Sequence, residues 1–179
     1  MGIVAKKTES TYELPPAGTE QAVCAEVVDL GFHPNPLKPG KMQHKVLVLF
    51  QLAAERQDGS RFVIGKRYTL SLDERATLRH DLESWRGRAF TPQEEEGFDL
   101  DHVLSANGVL NIQHRESKGK TYANILTIMP LMRGMSKLKV EGYVRPEYVA
   151  KMIAPSSEAE GLPADDEHAG MVDADEIPF

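Results

Sequence analysis

The chain has 179 residues, enough for one compact domain of roughly 100–150 residues with a remainder, and too few for two ordinary domains. Hydrophobic residues make up 41% and charged residues 27%, a globular composition, and no apolar run approaches the roughly 18 residues that a membrane helix needs. The formal net charge of −6 is unevenly spread: residues 155–179 hold eight acids and no Lys or Arg, which leaves 21 basic residues against 19 acids, a balance of +2, over residues 1–154.

Residues 1–19 read as an N-terminal arm. Gln21–Phe32, rich in Val and Ala, reads as a first strand and runs into a stiff basic loop, His33–Met42, that carries Pro34, Pro36, Pro39 and Gly40. In His44–Ala53, Val46, Val48, Phe50 and Leu52 alternate with Lys45, Leu47, Leu49 and Gln51, and Arg61–Leu72 alternates similarly. Asp58-Gly59 supplies the turn of an antiparallel hairpin between them, because Gly takes a positive φ without strain. Ser71-Leu72-Asp73-Glu74 has the form of a capping box and predicts a helix over 72–86, closed by Gly87, with Leu78, Leu82 and Trp85 on its packing face. Thr91-Pro92-Gln93-Glu94 predicts a second helix, cut short by Gly97. After Asn107-Gly108, Val109–Glu116 and Thr121–Met129 read as a second hairpin joined through Ser117–Lys120.

Three strands, a helix and two strands over about residues 20–130, with no internal repeat, predict a mainly β fold: a five-stranded OB barrel with a helix between strands 3 and 4. The expected domain covers residues 20–154. The Pro, Gly and acid content of 155–179 cannot bury enough apolar surface to offset ordering, so a disordered acidic tail is expected there.

Catalytic motifs fail on inspection. Gly119-Lys120-Thr121 resembles the end of a phosphate-binding loop, but the glycine required five residues earlier is His114, and a strand follows where a helix is needed. Ser136-Lys137-Leu138-Lys139 satisfies S-x-x-K without its companion motifs, and Gly134-Met135-Ser136 lacks the second glycine of a nucleophile elbow because position 138 is Leu. The single cysteine, Cys24, excludes an internal disulfide and zinc sites built on paired thiolates, and the six histidines show no paired spacing. The expectation is a protein that is not an enzyme and needs no metal or cofactor. The lone cysteine and the absence of a signal-peptide-like stretch at Met1–Lys7 point to a reducing cytosol.

The basic residues cluster where an OB barrel meets a nucleic-acid strand. Lys38, Lys41 and Lys45 lie in or beside the first loop, Arg61, Lys66 and Arg67 on the third strand, and Arg115, Lys118 and Lys120 on the last hairpin. Arg133, Lys137 and Lys139 follow the fifth strand. Such clusters track phosphates, while aromatic rings offer stacking surfaces worth roughly 1–3 kcal/mol per base. Phe32, His33, Tyr68 and Tyr122 are the candidate platforms, with Tyr68 and Tyr122 joining the basic residues in the expected binding set. Trp85 reads as a packing residue.

The C-terminus reads Asp173-Ala174-Asp175-Glu176-Ile177-Pro178-Phe179. Physically this is an apolar hook stiffened by Pro178, with a terminal carboxylate and acids that steer it toward basic surfaces. It resembles the acidic tip of bacterial single-stranded-DNA-binding proteins, which ends in an unbroken aspartate run and Ile-Pro-Phe; Ala174-Asp175-Glu176 departs from that run and leaves the hook whole. Val28-Asp29-Leu30-Gly31, Tyr68-Thr69-Leu70-Ser71-Leu72, Glu83–Phe90 and Gly97-Phe98-Asp99-Leu100 are similar to bacteriophage-encoded single-stranded-DNA-binding proteins of the OB class. The resemblance implies a body that coats single-stranded DNA in the bacterial host cytosol. It implies a tip, Asp173, Asp175, Glu176, Ile177, Pro178 and Phe179, that recruits bacterial replication, recombination or repair proteins. An adaptor or inhibitor that mimics the tip without binding DNA is the alternative, and an RNA-binding OB protein is a third reading.

Overall fold

The computed structural model describes residues 13–154. The predicted disorder of the tail and the Ile177-Pro178-Phe179 tip therefore lie outside the described residues. Within them the chain forms β1 (Gly18–Pro34), β2 (Met42–Glu55), β3 (Arg61–Thr69), α1 (Thr77–Arg86), α2 (Pro92–Glu96), a 3₁₀ turn (Leu100–Val103), β4 (Asn107–Ser117), β5 (Lys120–Pro130) and α3 (Val149–Met152). The architecture is mainly β: all five strands join one antiparallel sheet in the order β3-β2-β1-β4-β5. The two edge strands, β3 and β5, come within 8 Å of each other at their Cα atoms, and α1 packs against both.

Strand alternation sorts the side chains into two layers. Val46, Val48, Phe50 and Leu52 of β2, with Phe62, Ile64 and Tyr68 of β3, form the main core with Leu78, Leu82 and Trp85 of α1. Leu47 and Leu49 point to the other face and join Val28, Leu30 and Val149 in a second core. β1 serves both layers because it is irregular, with register shifts between Cys24 and Glu26 and between Asp29 and Gly31, the second at a glycine with φ 76°. The Lys118-Gly119 turn has φ 49° and 75°, the doubly positive pattern that matches strand twist in a two-residue hairpin.

The helices depart from expectation at one end. α1 begins at Thr77, five residues after the predicted Leu72, with Ala76 as an N-cap that has no side-chain hydrogen bond. Ser71 Oγ accepts from the Asp73 N–H at 3.1 Å instead, so the expected capping box is a local turn that competes with the helix. The C-terminus matches: Gly87, at φ 71°, donates its N–H to Glu83 and Ser84. The Thr91 box forms in full, with Glu94 N–H on Thr91 Oγ1 at 3.3 Å and Thr91 N–H on Glu94 Oε2 at 3.0 Å. Trp85 is a packing residue whose Nε1 donates to the Asn107 carbonyl at 2.9 Å. A Cβ at Gly108 would sit 2.7 Å from that nitrogen, which requires glycine there.

Candidate nucleic-acid interface

The outward face of β1–β3 is laid out in rows by the register: Val23, Gln51 and Val63; Glu26, Leu49 and Gly65; Val28, Leu47 and Arg67; Gly31, Lys45 and Thr69. The loop between β1 and β2 lies beyond the last row, and the β4–β5 turn lies beyond the start of β1, where Gly18 pairs Ile112. The predicted contact residues divide sharply on this frame.

At the first loop, Lys38 and Lys41 are exposed. Turn hydrogen bonds from Lys38 and Leu37 to Asn35, and between Asn35 and Lys41, set the loop's shape. At its root Phe32 is 58% exposed and stacks on His44, with ring centroids 4.6 Å apart and planes 24° apart. His44 is held in turn by Asp29 at 2.7 Å. The Gly31 N–H, then His44, keep the Asp29 carboxyl below its ordinary range, so it stays ionised to oppose the imidazole. His33 is half-buried, Nε2 donating to the Leu30 carbonyl at 3.0 Å, and burial pushes its pKa down. Of the two aromatic candidates here, Phe32 is the exposed ring and His33 is half-buried.

At the last hairpin Arg115, Lys118 and Lys120 are exposed, and Tyr122 is half-buried directly across the ladder from Arg115. Two exposed basic ends therefore flank the β1–β3 face. The residues expected between them are spoken for. Lys66, 4% exposed, donates to Asp81 Oδ2 at 2.7 Å, and Tyr68, 1% exposed, donates to the same oxygen at 2.7 Å. Both are interior residues, and their assignment as strand contacts is withdrawn. Lys45, 3% exposed, donates to Thr69 Oγ1 at 2.8 Å and is withdrawn as well. Arg61 donates to the Lys139 carbonyl at 2.8 Å and lies 3.8 Å from Glu141, and Arg67 is half-buried beside Leu47.

The covering element is one that the sequence reading missed. Residues 131–154 form a strap laid over the outward face. Leu138 exchanges two hydrogen bonds with the Asn107 side chain, at 2.7 and 2.9 Å, and Glu141 exchanges two with the Gln51 side chain, at 2.6 and 3.0 Å. Tyr143 donates to Glu26 at 2.6 Å, Arg145 pairs with the same carboxylate, and the Ala154 N–H reaches the Leu30 carbonyl at 2.8 Å. Val149, fully buried, packs with Tyr143, Tyr148 and Met152 on Val28, Leu30, Leu47 and Leu49. A signal for it exists in Lys137–Glu141, where exposed Lys137, Lys139 and Glu141 alternate with half-buried Leu138 and Val140.

Near α1 and α2, a concavity of about 400 Å³ is lined by Trp85, Arg86, Arg88, Glu94, Phe98 and His102. Its charges are internally matched: Arg88, the Thr91 N–H and Arg86 all bond Glu94 and hold its carboxyl down at about 2, while the Arg86 guanidinium lies over Phe90 and Phe98. Among the described residues no group of three His, Cys, Asp or Glu is placed to hold a metal, and no helix is long and apolar enough to cross a membrane. No family model matches this sequence, and no curated protein matches it.

Proposed function

We propose that this protein is a sequence-independent single-stranded-DNA-binding protein, acting by binding rather than catalysis, whose sheet is an OB barrel and whose acidic tail recruits partner enzymes. The barrel reading is supported by the strand order β3-β2-β1-β4-β5, the approach of β3 to β5 and the position of α1 against both. The observation that carries the functional reading is the exposed Phe32 ring, backed by His44 at the root of a loop bearing Lys38 and Lys41. A large ring stacked in place and open to solvent beside exposed cations meets the two needs of a single strand, a π-face for a base and charge for the phosphates. The second exposed basic end, at Lys118 and Lys120, adds phosphate contacts on the other flank.

One observation favours the adaptor reading: the chain itself covers the outward face of β1–β3. A competition gel shift separates the two. Single-stranded DNA, duplex DNA and single-stranded RNA are titrated at two salt concentrations against the full chain. The proposal expects salt-sensitive binding with single-stranded DNA ahead of duplex, and absence of binding to every strand installs the adaptor in its place.

A further inference from the structure

The strap has two chemically different sides. Its inward side, with Tyr143, Tyr148, Val149 and Met152, seals an apolar face that has nothing to offer a phosphate. Its outward side exposes Arg133, Lys137, Lys139, Arg145 and Lys151. Arg145 is engaged by Glu26, and the other four have no ion-pair partner among the described residues. Residues 131–154 hold five basic residues against two acids, whereas residues 13–130 hold 14 against 16. The basic excess of the folded body thus resides in the strap. Its course runs across the outward face toward the first basic loop: Ser136 accepts from Gln21, in the stretch of β1 that pairs with the start of β4, and Ala154 docks on Leu30 and lies 3.4 Å from the place a Cβ on Gly31 would occupy, near the Lys38–Lys41 loop.

Resting on the single-stranded-DNA reading above, we propose that the outward side of residues 131–154 is itself the phosphate-binding surface. The strap is then a permanent part of the site, extending the exposed cations of the Lys38–Lys41 loop across the outward face, and it does not have to leave for DNA to bind. Leaving would expose Val28, Leu30, Leu47 and Leu49 together and strip the side chains of Gln51, Asn107 and Glu26 of their partners. Staying presents Arg133, Lys137, Lys139 and Lys151, which form no ion pair among the described residues.

Two experiments on the full chain test this. In the first, Arg133→Gln, Lys137→Gln and Lys139→Gln are combined, and binding of a fluorescent oligothymidine of roughly 30 nucleotides is followed across a salt series. The slope of log affinity against log salt should fall by about two, since each lost single-strand phosphate contact contributes roughly 0.7. An unchanged slope, in a variant that melts like the parent, overturns the proposal while leaving DNA binding intact; failure of the parent chain to bind removes the reading beneath it. In the second, Gly31→Cys with Ala154→Cys ties the strap down, the 3.4 Å separation being close to the 3.5–4.5 Å range of disulfide Cβ pairs. The oxidised protein should bind as tightly as the same protein reduced. Binding that disappears on oxidation and returns on reduction shows a strap that must swing away, and contradicts the proposal.

Discussion

Lys66 follows Phe62 and Ile64 at even spacing on β3, so pleating sends its ammonium inward, where Asp81 meets it at 2.7 Å. Tyr68 has the same parity and the same partner. Substitutions here belong to stability rather than to binding. Lys66→Ala leaves a largely buried carboxylate without its cation and should lower unfolding free energy by about 3–5 kcal/mol, and Tyr68→Phe by roughly 1.5–3 kcal/mol, with DNA affinity of the folded protein unchanged. Denaturant unfolding and titration on the same samples check both halves. Phe32→Ala should behave in the opposite way: no loss of stability, an affinity loss of roughly 1–3 kcal/mol from one stacked base, and an unaltered salt slope. Cys24 is fully buried, and that burial pushes its thiol up to about 12. Thiol reagents at pH 8 should label the native protein only as fast as it opens, and the denatured protein at once.

Among the elements, the strap is held at one point by a titratable anchor. The Arg145 guanidinium, against a smaller opposing effect of burial, and then the Tyr143 hydroxyl, lower the Glu26 carboxyl from its ordinary 4.5. A depressed folded pKa means that the anchor contributes fully above the unfolded value and is lost as pH falls through the lower folded one. Hydrogen-exchange protection at the strap amides Glu141 and Ala154, corrected for the intrinsic pH dependence of exchange, should therefore fall on acidification below about pH 4, earlier than protection in β2. Glu26→Gln should show the lower protection already at pH 7 and lose that pH dependence. The strands, the two-residue hairpin at Lys118-Gly119, the Thr91 cap and the Gly87 stop were legible because each is a local pattern of spacing and turn chemistry. Lys66 and Tyr68 were legible too, by parity with Phe62 and Ile64; choosing Lys66 for its charge and Tyr68 for its ring, without regard to parity, put both on the wrong face. Lys45 and Arg61 were not, because their odd parity does point outward, where Lys45 is taken up by Thr69 across the ladder and Arg61 by the distant Lys139. The Ser71 cap failed because a serine followed by an acidic stretch serves a turn as well as a helix start.

At the scale of the whole molecule, the charge is polarised. Asp73, Glu74, Glu94, Glu95, Glu96, Asp99 and Asp101 gather between the end of β3 and the start of β4, while the basic excess lies in the strap and at the exposed loops. The eight acids of 155–179 follow the strap directly in the chain, and on the proposed function they would compete with phosphate for it, so their removal should tighten DNA binding modestly, most at low salt. Deleting Phe179 alone should leave DNA affinity unchanged and abolish capture of bacterial partners, a loss of at least about 2 kcal/mol, since it empties the apolar hook and moves the terminal carboxylate onto Pro178. A pull-down from bacterial extract with and without Phe179 reads this directly. The central claim, that the folded body binds single strands through its exposed cations and rings, is tested most directly by titrating residues 1–154 with a fluorescent single strand of roughly 30 nucleotides across a salt series. The account predicts binding at least as tight as that of the full chain, falling steeply and linearly in log affinity as log salt rises. Absence of binding by residues 1–154, or affinity indifferent to salt, would contradict it.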